Sequence, residues 1–227
     1  MSIPAQVEAI LRSVRPEALV YLVRAPRGAS DRQIDTAVEQ MLRVASLAVQ
    51  AGVSRFVLAS SAAVYGDRHR APRRESDPTE GVSAYATEKI TAERQLEEFA
   101  LDRGLSAASA RIFNVFGPGC RDSLLNALVE GPPPVLAVTP HFVRDYVHVD
   151  DVASALLLAA QRDDVIGAVN IGSGRGVDNS QLAAACPDRY MDGDASIRSF
   201  SVADPSRARD ELGWRVKADP FAFVRCD

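Results

Sequence analysis

The sequence predicts an α/β fold whose strands lie in a parallel sheet. Short apolar segments alternate with amphipathic helical patterns of about 10 to 20 residues, as in crossover units that join parallel strands. Gly52 and Gly104 follow two of the helical patterns, at the position where a left-handed residue commonly ends a helix. The length of 227 residues suits one medium domain, or one domain plus a small lobe, and 47% hydrophobic and 25% charged residues are typical of a globular chain.

The first half of the chain contains three predicted strands and two predicted helices. The run at 18–23 (Ala-Leu-Val-Tyr-Leu-Val) is short and apolar, which is typical of a buried strand. Similar runs at 56–60 and 105–113 predict two further strands. Helical spacing of apolar residues predicts helices over 34–51 and 83–103.

The second half alternates in the same way. Residues 114–119 (Asn-Val-Phe-Gly-Pro-Gly) predict a turn, because glycine and proline interrupt regular structure. The remaining predicted elements are a strand at 146–149, a helix capped by Asp150 or Asp151, a strand at 168–171, and a helix that opens at Asp204-Pro205 and closes at Gly213.

Charge and cysteine content exclude several classes of function. The net charge is -4 and the 26 basic residues are scattered, so we expect neither a nucleic-acid partner nor a membrane surface. Cys120, Cys186 and Cys226 lie far apart, without a CxxC pair or neighbouring histidines. This spacing predicts neither a disulfide framework nor a metal site. The N-terminal residues show no export signal, and we expect a cytoplasmic protein.

Tyr85 and Lys89 form a YxxxK pattern at the start of a predicted helix. The i, i+4 spacing places both side chains on one helix face. A nearby ammonium group favours the phenolate and lowers the pKa of a tyrosine from its ordinary value near 10, so this pair could move a proton to or from a sugar hydroxyl. The alternative is a surface helix face that happens to carry a tyrosine and a lysine.

Ser60 and Ser61 follow directly on the predicted strand at 56–60. A hydroxyl group at the carboxyl end of a strand in an open α/β sheet lies where ligands bind. The alternative is a turn in which these serines act as caps.

Together these segments resemble the extended short-chain dehydrogenase/reductase family, within its nucleotide-sugar epimerase/dehydratase branch of the UDP-glucose 4-epimerase type. The resemblance covers most of residues 15–215. It rests on the order and spacing of the YxxxK pattern and of the segments at 55–66, 111–119, 144–153, 170–174 and 203–214.

The resemblance implies roles for three catalytic residues. Tyr85 is similar to the acid/base of the family, and Lys89 to the residue that lowers its pKa and holds the nicotinamide ribose. Ser61 is similar to the hydroxyl that shares the proton with the substrate oxygen.

Three more residues are implied in substrate binding. Asn114 matches a position near the substrate phosphates, and Arg144 matches the arginine that clamps the diphosphate, a task that suits a planar guanidinium group. The alternative for Arg144 is a salt bridge to Asp145 or Asp150. Arg198 is a candidate contact to the nucleotide, but the resemblance does not fix which residue of this segment aligns with the family position.

The cofactor part of the family pattern is not found in the sequence. The resemblance implies NAD or NADP, yet no G-x-G-x-x-G fingerprint precedes the strand at 18–23, which resembles the fourth strand of the family. The glycines at 172–176 do not fit the fingerprint either, since position 177 is valine, and we interpret them as a substrate-lobe turn. We therefore expect the chain to bind NAD(P) weakly or not at all.

The fold expected from the resemblance is a truncated Rossmann-like, doubly wound parallel sheet with a small C-terminal substrate lobe. Residues 1–113 would form an incomplete dinucleotide-binding domain that lacks its first three strands. Residues 114–227 would form mainly the substrate lobe, with late strands returning to the sheet.

Two functions from different classes stay open. The first is a 4-epimerase or 4-ketoreductase acting on a UDP- or dTDP-hexose. A dehydratase is disfavoured because Ala62 and Ala63 stand where those relatives carry acids. The second is a non-catalytic or partner-completed remnant that binds nucleotide sugars without NAD(P). A natural chain longer than these residues is a third explanation of the missing fingerprint.

The apolar strand at 18–23 would lie at an unpaired sheet edge, and such edges recruit other chains. We therefore expect a homo-oligomer or a complementing chain. The alternative is that residues 1–17 form a helix that shields this region, through Val7, Ile10, Leu11 and Val14.

Overall fold

A computed structural model of the chain describes residues 3–130 and 136–224. They fall into two compact units. The first unit comprises the described residues of 1–64, 78–111 and 156–169, and the second those of 65–77, 112–155 and 170–227.

Helices and strands alternate through the first half of the chain, as the sequence predicts, whereas in the second half two strands in succession separate the helices at several points. The helices are α1 (Ile3–Val14), α2 (Asp31–Gln50), α3 (Ala84–Arg103), α4 (Leu124–Glu130), α5 (Val149–Gln161), α6 (Asn179–Ala183), α7 (Ser206–Glu211) and α8 (Pro220–Phe223). The strands are β1 (Ala18–Tyr21), β2 (Arg55–Ser61), β3 (Ser106–Ile112), β4 (Asn114–Phe116), β5 (Leu136–Val138), β6 (Phe142–His148), β7 (Gly167–Ile171), β8 (Gly176–Asp178), β9 (Tyr190–Asp192) and β10 (Ser199–Ser201).

The first unit is built on a four-stranded sheet in the order β1-β2-β3-β7. Strands β1 and β2 are parallel, with Ala18 opposite Arg55, so the predicted α/β class with a parallel sheet is confirmed. The core between this sheet and its helices includes Met41 of α2, Phe56 of β2 and Leu96 of α3. Strand β1 is shorter than predicted, and Leu22, directly after it, is exposed.

Helix α1 covers part of this unit. Leu11 is buried in a small cluster with Ala48 and Val53, against which Leu19 of β1 packs. Residues 3–14 therefore form the helix that the alternative predicts, while β1 is still the end strand of its sheet. Ile10 is exposed, so the helix uses only part of the predicted apolar face.

Arg55 ties distant segments of the first unit together from a buried position. Its guanidinium group donates to the carbonyl oxygens of Ala159 at 2.9 Å and Val165 at 2.8 Å, and to Ser106 Oγ at 2.8 Å. Burial lowers the pKa of Arg55. Because all three acceptors are oxygen atoms of this unit, the charged group is satisfied where water cannot reach it.

The second unit contains a sheet in the order β10-β6-β4 and a separate pair, β5 and β9. Strand β6 is parallel to both β4 and β10 and antiparallel to β8. The core of this unit includes Phe116, Leu125, Tyr146 and Leu182.

Three predictions about the second unit are wrong. The turn predicted at 114–119 starts as strand β4, because its first three residues pair with β6, and only Gly117 and Gly119 have the positive φ of a turn. Strand β6 begins four residues before the predicted start. Helix α5 begins at Val149, so neither Asp150 nor Asp151 is its cap.

Cys186 is disulfide-bonded, which the spacing of the cysteines did not predict, and Cys226 lies outside the described residues. No helix in the described ranges is both long and apolar enough to cross a membrane. Across the same ranges, no cluster of three or more His, Cys, Asp or Glu side chains could hold a metal ion.

Candidate active site

Ser60 and Ser61 lie at the carboxyl end of β2, in the first unit. The Ser60 hydroxyl donates to Glu93 of α3, so this serine joins the strand to the helix. Ser61 Oγ accepts a hydrogen bond of 3.2 Å from the backbone N–H of Ala63. Ser61 is half-buried. Ser61 thus makes a local contact of the kind that the turn-and-cap alternative describes, whereas Ser60 bonds to a residue 33 positions away.

Helix α3 carries Tyr85 and Lys89 and has well-defined ends. Ser83 is its N-cap and accepts a hydrogen bond of 3.1 Å from the backbone N–H of Ala86. Gly104 ends the helix in the left-handed conformation, with φ 62°. Tyr85 lies in the first turn, with 38% of its surface exposed. The cap therefore fixes the turn from which the tyrosine projects.

Lys89 lies one turn further and is buried, with its side chain 3% exposed. Its Nζ atom is 5.8 Å from the centroid of the Tyr85 ring. Burial lowers the pKa of Lys89, while the charge and hydrogen bond of Glu88 raise it. Arg24 approaches the same ring, with its Cζ atom 6.0 Å from the centroid. Tyr85 thus has two cationic side chains near its ring, one from its own helix and one from the segment after β1.

Replacing Ser83 with alanine is expected to lower the free energy of unfolding by about 1 kcal/mol, the usual effect of losing an N-cap hydrogen bond. Urea unfolding followed by circular dichroism measures the change. Ser54→Ala is a matched control, because its exposed hydroxyl donates at 3.3 Å to the carbonyl of Glu17 outside any helix cap. Equal stability of the Ser83→Ala and native chains would contradict the assigned cap.

The predicted substrate-binding residues all belong to the second unit. Asn114 begins β4, and its Nδ2 atom donates to the carbonyl oxygen of Asp145 at 3.1 Å. Asn114 is therefore fixed across β4 and β6. Its amide is partly engaged by the backbone, and its remaining hydrogen-bonding capacity is what could serve a ligand.

Arg144 projects from β6 and has defined partners. It donates to Ser199 Oγ at 2.6 Å, and its Nη2 atom lies 3.7 Å from Asp67 Oδ2. Its Cζ atom lies 5.0 Å from the centroid of the Phe142 ring. Burial lowers the pKa of Arg144, and Asp67 raises it. The ion-pair partner is therefore Asp67, rather than the neighbouring acids Asp145 and Asp150 that the sequence suggested.

Arg198 is exposed and directly precedes β10. Strand β10 pairs with β6 so that Ser201 lies opposite Arg144. Because Ser199 is a partner of Arg144, the sequence neighbour Arg198 lies in the same region of the second unit. Two cationic groups thus occur near the junction of β6 and β10.

The glycine-containing turn after β7 binds a carboxylate of this chain. Asp145 is fully buried, and its Oδ1 atom accepts from the backbone N–H of Ser173 at 2.7 Å and from the Ser173 hydroxyl at 2.6 Å. Its Oδ2 atom accepts from the N–H groups of Gly174 at 2.9 Å and Ala203 at 3.1 Å. Burial raises the pKa of Asp145, and these hydrogen bonds lower it. The amide groups of this glycine-containing turn therefore bind the Asp145 carboxylate.

Sequence reasoning missed four residues that contact the predicted site residues. Glu88 and Arg24 lie beside the Tyr85–Lys89 pair, and Asp67 and Ser199 hold Arg144. Glu88 could have been found from the sequence, because it lies within the YxxxK segment, directly before the lysine. The other three are distant in sequence and carry no local signal.

Comparison with known proteins gives a family match over most of the chain. The model of the NAD dependent epimerase/dehydratase family matches residues 1–172. The UDP-glucose 4-epimerase of Azospirillum brasilense is 30% identical over an alignment of 207 residues, with 75% of this chain and 58% of the relative covered. The UDP-glucose 4-epimerase of Streptomyces lividans is 31% identical over 204 residues, with 77% and 61% covered. The chain thus spans about three fifths of the length of these relatives.

Solved structures show a similar fold. The crystal structure of UDP-glucose-4-epimerase from Stenotrophomonas maltophila, with bound NAD and formylated UDP-arabinopyranose, superposes with a TM-score of 0.81 at 25% identity. The superposition covers 98% of this chain and 78% of that one. The predicted Rossmann-like architecture is therefore confirmed, on a chain shorter than the epimerase.

Proposed function

Because the chain belongs to the NAD dependent epimerase/dehydratase family, we propose that it performs nucleotide-sugar chemistry of the 4-epimerase or 4-ketoreductase type, with Tyr85 as acid/base. The observation that carries the proposal is the buried Lys89, whose ammonium group lies 5.8 Å from the Tyr85 ring. A buried cation beside a partly exposed phenol is the arrangement that proton transfer at a sugar hydroxyl needs.

In the proposed mechanism three residues of the first unit take part in proton transfer. Tyr85 takes the proton of the substrate 4-hydroxyl as the carbon is oxidised, and returns it when the keto group is reduced. Lys89 stabilises the phenolate, and the Ser61 hydroxyl hydrogen-bonds the same substrate oxygen. The alanines Ala62 and Ala63 supply no carboxylate for elimination, which favours epimerase or ketoreductase over dehydratase chemistry.

NAD or NADP would supply the hydride chemistry of this reaction when bound. The donor set fits the nicotinamide end of such a cofactor, since the Lys89 ammonium group has three N–H donors for ribose hydroxyls. The sequence holds no G-x-G-x-x-G motif for the pyrophosphate. We therefore propose that the 227 residues by themselves bind the cofactor weakly or not at all.

The proposed substrate is a UDP- or dTDP-hexose whose diphosphate contacts Asn114, Arg144 and Arg198. A UDP-sugar is present in the epimerase structure from Stenotrophomonas maltophila, which supports this substrate class. An alternative is a nucleotide-sugar binder that is non-catalytic or is completed by another chain. We further propose a cytoplasmic location and an assembly, as homo-oligomer or with a complementing chain, that covers the edge of β1.

Separate calorimetric titrations with NAD, NADP, UDP-glucose and dTDP-glucose distinguish the enzyme from the binder. An enzyme converts the nucleotide sugar when NAD(P) is supplied, and its titration shows binding of both ligands. Binding of the nucleotide sugar alone, without turnover, supports the binder. Binding of none of the four ligands would contradict both functions.

Replacing Arg144 with alanine is expected to raise the Kd for UDP-glucose by about 10-fold or more, because a hydrogen bond from a charged group contributes about 1.5–3 kcal/mol. Calorimetry measures the change. Arg209→Ala is the matched control, since this exposed arginine of α7 pairs with Asp210 and has no proposed ligand contact. An unchanged Kd for Arg144→Ala would remove this residue from the proposed binding site.

A further inference from the structure

Glu88 is a buried carboxylate beside the proposed catalytic pair. Its Oε1 atom accepts a hydrogen bond of 3.1 Å from the backbone N–H of Ala25, in the segment after β1. The same oxygen lies 3.6 Å from Lys89 Nζ, and the two side chains are only 6% and 3% exposed. One carboxylate oxygen therefore links the lysine to the chain that follows the edge strand.

The charged and titratable groups around Lys89 come from helix α3, strand β1 and the segment after β1. They are Tyr85, Glu88 and Glu93 of α3 and Arg24, and Tyr21 of β1 interacts with the charge of Glu88. Glu93 is balanced by Arg111, whose Nη2 atom donates to Glu93 Oε2 at 2.7 Å. Arg24 is a second cation and opposes the charge of Lys89. This leaves Glu88 as the carboxylate that compensates the buried ammonium group.

We propose that Glu88 is a positioning residue, whose carboxylate keeps the Lys89 ammonium group charged and fixed beside the Tyr85 ring. The hydrogen bond from Ala25 orients the carboxylate, so the lysine is held by the backbone as well as by charge. A buried lysine without an anion tends to give up its proton, because low-dielectric surroundings disfavour the charged form. The inference deepens the proposed function, since it concerns the pair assigned to acid/base catalysis.

The chain allows a direct test, because Lys89 and Lys217 are its two lysines. Protein labelled with ¹³C at lysine Cε gives one resonance for each, and their pH titration by NMR reports both pKa values without turnover. In Glu88→Gln, the pKa of Lys89 is expected to fall by about 1 unit or more, the usual effect of losing an opposite charge at this distance. The pKa of Lys217 stays unchanged and serves as an internal reference.

Two further variants complete the comparison. Glu97→Gln removes an exposed carboxylate of the same helix and should leave the Lys89 titration unchanged. Glu88→Asp keeps the negative charge on a shorter side chain, so the pKa of Lys89 should fall by less than in Glu88→Gln. This variant also tests the proposal if Glu88→Gln does not fold. Equal Lys89 pKa values in the native and Glu88→Gln proteins would overturn the proposal. A Lys89 pKa in Glu88→Asp that equals the value in Glu97→Gln and in the native protein would overturn it as well.

Kinetics separates this inference from the proposed function. The kcat of Glu88→Gln should decline at lower pH than the native kcat on the alkaline limb of the profile, because Lys89 loses its proton earlier. A native protein without turnover whose Lys89 titration still depends on Glu88 would contradict the proposed function and leave the Glu88–Lys89 link standing. An unchanged Lys89 titration overturns the link, whatever the activity.

Discussion

Tyr85→Phe is expected to lower kcat by about 10²-fold or more, the scale of losing a positioned general acid/base. Phenylalanine keeps the ring beside Lys89 and Arg24 but removes the oxygen that exchanges the proton. Because Tyr85 is partly exposed at the start of a capped helix, its loss should not unfold the protein. The measurement is interconversion of UDP-glucose and UDP-galactose with NAD supplied, followed at saturating substrate.

Tyr190→Phe is the matched control for this variant. Tyr190 is half-buried at the start of β9, in the second unit, and has no proposed contact with substrate. Its substitution should leave kcat near the native value. A Tyr85→Phe protein as active as its parent would remove the proposed mechanism, and a native protein without turnover would remove the 4-epimerase activity on UDP-glucose.

The elements that follow from local signals were predictable from the sequence. Helix α3 begins one residue after the predicted start because Ser83 caps it, and it ends where Gly104 takes the left-handed conformation. Strand β2 matches the apolar run at 56–60 with one residue added at each end. In each case the chemistry that sets the boundary lies within a few residues of it, so a local pattern suffices.

The structure differs from the predictions where contacts between residues far apart in sequence determine the local structure. Strand β4 exists because Asn114, next to a glycine- and proline-containing turn, pairs with Tyr146 of β6. Arg144 finds Asp67 and Ser199, which are far away in sequence, instead of its neighbouring acids. Such contacts depend on the tertiary arrangement of the strands, which local propensity does not encode.

The same limit applies to the candidate site. The pattern of Tyr85 and Lys89 indicates a shared helix face, but it says nothing about how the lysine charge is compensated. That depends on Glu88 and on the backbone of Ala25, which is 63 residues away from Glu88. The residues proposed for the chemistry were therefore visible in the sequence, while the groups that hold them required the structure.

The second large effect concerns stability, and it is expected for Asp145→Ala. The carboxylate accepts four hydrogen bonds, from the N–H groups of Ser173, Gly174 and Ala203 and from the Ser173 hydroxyl. Alanine leaves these donors without their acceptor in a site closed to solvent, and each buried unsatisfied group costs about 1–3 kcal/mol. We expect the free energy of unfolding to fall by about 3 kcal/mol or more.

Urea unfolding followed by circular dichroism tests this prediction, with Asp188→Ala as the control because Asp188 is exposed in the same unit. Asp145→Asn sharpens it. An asparagine amide would place N–H donors against Ser173 or against the N–H groups of Gly174 and Ala203, so the amide variant should be destabilised as well. If Asp145→Ala and Asp188→Ala were equally stable, the four hydrogen bonds could not be what holds the turn after β7 to β6. A large loss in Asp145→Ala alone would mean that this glycine-containing turn is organised around the chain's own carboxylate rather than around a bound phosphate.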